Sequence, residues 1–120
     1  ALDELKQGQD FVYVHIESPD ESGHQGSLKQ KLWSIEQIDR EVVGLLVKEL
    51  DQFQDLRVMI LPDHPTPLSI RTHSSEPVPF MIFDKNHPLN DSIGIYSEQA
   101  ADKGIFFPEG YKLMEFFIKG

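Results

Sequence analysis

The apolar and polar positions of this chain follow changing rhythms, and each rhythm predicts an element. Phe11-Val12-Tyr13-Val14-His15-Ile16 is an almost unbroken apolar and aromatic run, which predicts a strand buried on both faces, as in a parallel sheet. A turn-rich stretch from Glu17 to Ser27 follows. Leu28, Leu32, Ile35, Ile38, Val42, Leu45, Leu46 and Leu50 then recur at helical spacing, with Lys, Gln, Glu and Arg between them. That pattern predicts an amphipathic helix of about six turns. Gly44 lies inside it at a cost on the order of 1 kcal/mol relative to Ala, which points to a close packing contact there. Val58-Met59-Ile60-Leu61 predicts a second strand, stopped by Pro62, so that strand, helix and strand form a right-handed βαβ unit.

Beyond it, Asp63 to Pro77 is proline-rich and without helical periodicity. Pro79-Phe80-Met81-Ile82-Phe83 predicts a third strand. A parallel return needs a crossover with its own helix, so this strand is expected to run antiparallel to the second. Turns from Asn86 to Gly94 and short helices near Ser97–Asp102 and Gly110–Ile118 complete the chain. The fold class is therefore α/β, without repeats or linkers. Strands this apolar need cover on both faces, and one long helix with two short ones does not supply it. A second copy of the chain or the remainder of a larger domain would complete the burial. The pattern leaves both open.

Composition narrows the classes. With 39% hydrophobic residues and eight Phe in 120 residues, the chain can build a core rather than remain disordered. It has no cysteine, which removes disulfides and thiolate metal sites and fits a reducing cytoplasm. No apolar run approaches the roughly 20 residues of a membrane span, and the start shows no secretory signal pattern. The first residue is Ala1 rather than Met, a hint of processing or trimming. A net charge of −9 argues against nucleic acid and anionic membranes as partners.

The candidate chemistry lies after the strands. Asp20 and His24 follow the first strand at a spacing of four, which one helical turn would bring to the same side. Asp63-His64 follows the second strand directly after Pro62. Ligands of open α/β sheets bind outside the carboxyl ends of the strands, so both pairs are expected at one rim. His73, shortly before the antiparallel strand, would return to that rim. Carboxylate oxygens and imidazole nitrogens suit borderline divalent metals such as Mn²⁺ or Zn²⁺. Five such ligands exceed one tetrahedral site and suit two ions roughly 4 Å apart, an arrangement fit for phosphoryl transfer. Glu17 is a candidate orienting partner or a solvated carboxylate. Arg71 is a candidate contact for a substrate phosphate or carboxylate. His15 reads as a core histidine, His87 as a turn residue, and Trp33 as core or interface. None of the nine serines sits in a glycine-flanked elbow or beside an obvious base, so no serine nucleophile is expected here.

The runs His15-Ile16-Glu17-Ser18-Pro19-Asp20-Glu21-Ser22-Gly23-His24-Gln25-Gly26, Leu61-Pro62-Asp63-His64-Pro65-Thr66-Pro67, Arg71-Thr72-His73 and Pro77-Val78-Pro79-Phe80 resemble those of a known group. It is the archaeal-type 2,3-bisphosphoglycerate-independent phosphoglycerate mutases, within the alkaline phosphatase superfamily. Gly110-Tyr111-Lys112-Leu113-Met114 is similar to that group's carboxy terminus, and the resemblance covers almost the whole chain. Ser18 and Ser22 stand where the family would have Ala. The resemblance implies that residues 1–120 are the carboxy-terminal portion of a metal-binding catalytic domain, an alkaline-phosphatase-like three-layer sandwich. It implies that Asp20, His24 and His73 bind one divalent ion and that Asp63 and His64 bind another, the ions being Mn, Zn or Mg. The second ion's other ligands, an Asp near the family's amino terminus and the nucleophilic serine, have no counterpart in this chain. The whole enzyme would act in the cytoplasm and interconvert 2- and 3-phosphoglycerate through a phosphoserine. The chain alone is expected to be inactive and to self-associate through its uncovered apolar faces. Another superfamily phosphomutase or phosphatase, or a non-catalytic metal-binding module, are the alternatives.

Overall fold

The computed structural model describes residues 1–87 and 94–120. Most of the turn expected between Asn86 and Gly94 thus lies outside the described residues. The chain divides into two compact units, residues 1–51 with 66–74, and residues 52–65 with 75–120.

The first unit is helical. It contains α1 (Leu2–Lys6), α2 (Ser18–His24), α3 (Leu28–Gln37), a π-helical segment (Ile38–Val43) and α4 (Gly44–Glu49). The turn-rich stretch of the sequence contains α2, whose seven residues are too few to show a period. Local chemistry nevertheless marks it, with Pro in the first turn, Asp20 and Glu21 near its amino end and His24 in its last turn. Its end is a Schellman motif. Gly26 takes φ +68, while the Gly26 and Ser27 amides donate to the Gly23 and Ser22 carbonyls, each at 3.0 Å. Ser27 then caps α3, its Oγ accepting from the Gln30 amide at 3.4 Å. This tight reversal lays α2 against α3, where Ser18 Oγ and Ser34 Oγ hydrogen-bond at 2.6 Å. Ser22 and Ser34 are buried, and Ser22 Oγ donates to the Ser18 carbonyl at 2.8 Å, so the buried hydroxyls have partners.

Several expectations need correction here. Residues 11–16 form no strand, and Phe11, Tyr13 and Val14 are half or more exposed. A strand exists only through a ladder to a neighbour, and no described strand pairs with this run. The βαβ unit is consequently absent among the described residues. The long helix also differs from its expected form, since the π-helical segment changes the hydrogen-bond register midway. Leu28, Leu32 and Ile35 remain exposed, as does Trp33, which of its two expected places, core or interface, is therefore not in the core. Gly44 makes no close approach to another element. A Cβ there would meet the Asp39 carbonyl of its own helix at 3.4 Å. Its place is the seam between the π segment and α4.

The second unit holds the sheet. β1 (Arg57–Ile60) and β2 (Met81–Asp84) pair antiparallel, with Val58 opposite Phe83 and Ile60 opposite Met81. This is the direction expected from the connection between them. At one end of the ladder, Arg57 donates to Asp84 Oδ2 from Nε at 3.0 Å and from Nη2 at 2.6 Å. Its Nη1 also donates to the Phe117 carbonyl at 2.7 Å, tying the sheet to α6 (Lys112–Lys119). The Phe80 and Phe107 rings meet edge to face at 5.6 Å, and Phe107 and Phe116 meet at 5.2 Å. α5 (Glu98–Ala101) and α6 bear out the two short helices expected in the tail. Leu113 of α6 is buried, at 6% exposure.

Candidate metal centre

The first unit brings three donor residues together. Asp20 and His24 sit one turn apart on α2, with Asp20 Oδ2 3.4 Å from His24 Nε2. The segment 66–74 of the same unit carries His73, whose Nε2 lies 3.3 Å from Asp20 Oδ1 and 3.1 Å from His24 Nε2. Donors of a tetrahedral ion with bonds of about 2.1 Å lie about 3.4 Å from one another. The separation of the two rings matches that spacing, Asp20 faces each ring with a different carboxylate oxygen, and one donor atom from each residue lies within 4.8 Å of the others, so the residues fit a divalent ion. All three side chains are partly exposed, at 32% for Asp20, 42% for His24 and 51% for His73. An ion held there would keep room for ligands from outside the chain.

The surroundings set the orientation of the donors. His24 Nδ1 lies 3.0 Å from the Arg71 carbonyl. A carbonyl only accepts, so Nδ1 carries the proton and the neutral ring presents the Nε2 lone pair to the centre. Arg71 reaches this position in the left-handed region, at φ 54, which costs a non-glycine residue roughly 1–2 kcal/mol. Its side chain crosses Gly26, where a Cβ would lie 2.4 Å from Arg71 Nε. Thr66 is buried and its hydroxyl donates to Asp20 Oδ1. Its carbonyl accepts from Lys31 Nζ at 2.6 Å. Gly23 lets this contact form, because a Cβ there would meet the Thr66 carbonyl oxygen at 2.7 Å. Gly23, Thr66 and Lys31 are the residues that sequence reasoning missed. The signal for Gly23 and Thr66 was present in the Asp-Glu-Ser-Gly-His and Pro-Thr-Pro runs, yet only contact between the runs gives it meaning.

Asp63 and His64 belong to the second unit, after β1. There, Asp63 Oδ1 accepts from the His64 amide at 3.0 Å, and Asp63 Oδ2 lies 3.5 Å from His64 Nε2. Among the described residues, the group of three or more side chains able to share one ion is Asp20, His24 and His73. Glu17, considered as an orienting partner, sits 3.8 Å from His15 Nε2 with its side chain 70% exposed. His15 is no core histidine. It is half exposed and stacks on Tyr13 at 6.1 Å, because the strand that would have buried it does not form. His87 is a turn residue as expected, its amide donating to Asp84 Oδ1 at 3.0 Å.

The family described as Metalloenzyme superfamily matches residues 1–117. The chain is 40% identical over 119 residues to a probable 2,3-bisphosphoglycerate-independent phosphoglycerate mutase of Geobacter sulfurreducens, covering 98% of this chain and 30% of that protein. It is 43% identical over 113 residues to the 2,3-bisphosphoglycerate-independent phosphoglycerate mutase of Methanothrix thermoacetophila, covering 92% and 29%. Among solved structures, the PH0037 protein from Pyrococcus horikoshii superimposes with a TM-score of 0.78 at 28% identity, over 96% of this chain and 34% of that one. The chain thus spans about 30% of the length of the curated relatives it matches. With a donor triangle suited to a divalent ion and a match running from residue 1 to residue 117, this α/β chain belongs to the Metalloenzyme superfamily, whose fold is alkaline-phosphatase-like.

Proposed function

We propose that this chain is the carboxy-terminal portion of the catalytic domain of a metal-dependent phosphoglycerate mutase, which interconverts 2- and 3-phosphoglycerate in the cytoplasm. The observation that carries the reading is the Asp20–His24–His73 cluster, whose donor atoms all lie within 4.8 Å of one another, in a chain similar over 98% of its length to a protein named as a probable mutase of this kind. These three residues hold one divalent ion, and Asp63 and His64 contribute to a second. Bound divalent ions of this class supply Lewis-acid stabilisation of the charge that develops on a transferring phosphoryl group. The chain's own net charge of −9 would repel an anionic phosphoglycerate, so local positive charge at the centre has to attract it. Arg71, exposed and next to the third ligand, is the cation placed to meet a substrate phosphate or carboxylate. Glu17 directly precedes the helix that carries two of the three donors, where an orienting partner would sit. The serine that receives the phosphoryl group comes from outside these 120 residues.

The whole protein, purified with Mn²⁺ or Zn²⁺, is expected to turn over phosphoglycerates, whereas the 120-residue chain alone turns over neither isomer. Activity of the whole protein on phosphopentoses and not on phosphoglycerates would replace the mutase by a related phosphomutase. No turnover of any phosphate ester would leave a metal-binding module. The half-exposed Phe11, Tyr13 and Val14 support self-association of the isolated chain. A single monomeric boundary in sedimentation velocity would refute that part.

A further inference from the structure

We propose that Thr66 is a positioning residue for the metal centre, its hydroxyl fixing the plane of the Asp20 carboxylate, with Lys31 holding Thr66 in register. This rests on reading Asp20, His24 and His73 as ligands of one ion. The direction of the bond is set by chemistry, since an ionised carboxylate only accepts and the Thr66 hydroxyl must donate to Asp20 Oδ1. Thr66 is 4% exposed, so water cannot take over the hydroxyl's role if it is removed.

The threonine itself is held in several ways. Pro65 and Pro67 flank it, fixing the backbone angle on either side and confining Thr66 to extended conformations. Its carbonyl is bound by Lys31 Nζ at 2.6 Å, and its methyl and carbonyl press on the bare backbone of Gly23. A carboxylate on the surface of a seven-residue helix would otherwise rotate between rotamers. Here one oxygen is anchored to a rigid segment, and that same segment delivers His73 and the carbonyl that orients His24. Thr66 thus couples the geometry of the two helical ligands to the arrival of the third. Groups that orient metal ligands in this way typically change affinity by 10- to 100-fold when lost.

The test uses the 120-residue chain and Co²⁺, titrated by calorimetry and by the visible absorption of the bound ion. Apo-protein circular dichroism and thermal unfolding serve as folding controls. Thr66→Val keeps the volume and removes the donor, and is expected to raise the Co²⁺ dissociation constant about 10- to 100-fold with the apo fold retained. Thr66→Ser keeps the donor and removes the methyl, and is expected to bind within about threefold of the parent chain. Lys31→Met is expected to weaken binding less than Thr66→Val. The Co²⁺ spectrum of Thr66→Val should also change, because carboxylate geometry at the ion is altered. If Thr66→Val unfolds, Thr66→Ser decides, because weakening by that variant would assign the effect to packing and overturn the proposal. Parent-like affinity and spectrum for Thr66→Val, with His73→Ala abolishing binding, would overturn it while leaving the metal centre intact. Absence of saturable Co²⁺ binding by the parent chain would instead overturn the metal-centre reading itself.

Discussion

Gly23→Ala pits two effects of comparable size against each other, and the structure says which wins. Gly23 lies inside α2, where Ala is intrinsically the better residue by about 1 kcal/mol. Considered on propensity alone, the variant should be more stable. The added Cβ, however, would sit 2.7 Å from the Thr66 carbonyl oxygen, 2.8 Å from its Cγ2 and 3.0 Å from its Cβ. Ordinary contact begins near 3.4 Å, so the 66–74 segment must retreat by about 0.7 Å. The obstacle is backbone and a branched side chain between two prolines, so no flexible side chain can swing aside. Overpacking of this kind costs about 1–3 kcal/mol. The net expectation is a loss of about 1 kcal/mol, or roughly 4–6 °C in melting temperature for a domain of this size. The same retreat draws the Thr66 hydroxyl and His73 away from Asp20, so divalent-ion affinity should fall as well. Thermal unfolding of parent and variant, each with and without Co²⁺, reads both consequences together. The variant should melt lower without the ion and gain fewer degrees when it is added. A variant that melts above the parent and gains as many degrees from Co²⁺ would refute the reasoning, since the contact would then be neither tight nor connected to the centre.

Divalent ions should raise the melting temperature of the parent chain, by about 2.7 kcal/mol of stabilisation at 100 times the dissociation constant, and a chelator should reverse the gain. His24→Ala or His73→Ala should abolish it, and an equal gain in either variant would show that the ion binds elsewhere. Asp84 is held at about 2, below its ordinary 3.8, chiefly by the hydrogen bond from Arg57 and then by the amides of His87 and Asn86, against the opposing effect of desolvation. Because the folded value is the lower one, its stabilisation is present above about pH 4 and is lost as pH falls towards 2. Asp84→Asn should therefore flatten the acid limb of stability between pH 4 and 2, and an unchanged limb would exclude the Arg57 pair as its source. Burial, and secondarily the charge of Glu98, push the Tyr96 phenol up to about 12, with its hydroxyl donating to the Pro79 carbonyl at 3.0 Å. The raised folded value means that its contribution is intact below pH 10 and lost as pH rises through 12. Phenolate absorbance should show one tyrosine ionising later than the others, and Phe at position 96 should remove that late step.

Much of this protein was determined locally. The antiparallel direction of β2 followed from a proline-rich connection that offers no helix for a crossover. The two tail helices were legible near Ser97–Asp102 and Gly110–Ile118, and the pairing of Asp20 with His24 from a spacing of four on a helical turn. Local rules suffice there because the partners are close along the chain. Residues 11–16 show where they stop. The run has every property of a buried strand, but strand formation depends on a second chain segment offering its amides and carbonyls, and no described segment of this chain does so. His15 changed from core to surface for the same reason. The metal centre divides along the same line. Residue type and spacing named its candidate donors. Only the tertiary structure brought His73 to within 3.1 Å of His24 and placed Thr66 on a bare Gly23 with its hydroxyl on Asp20. These contacts join residues more than forty positions apart, and their energies depend on tenths of an ångström that no pattern of residue types encodes.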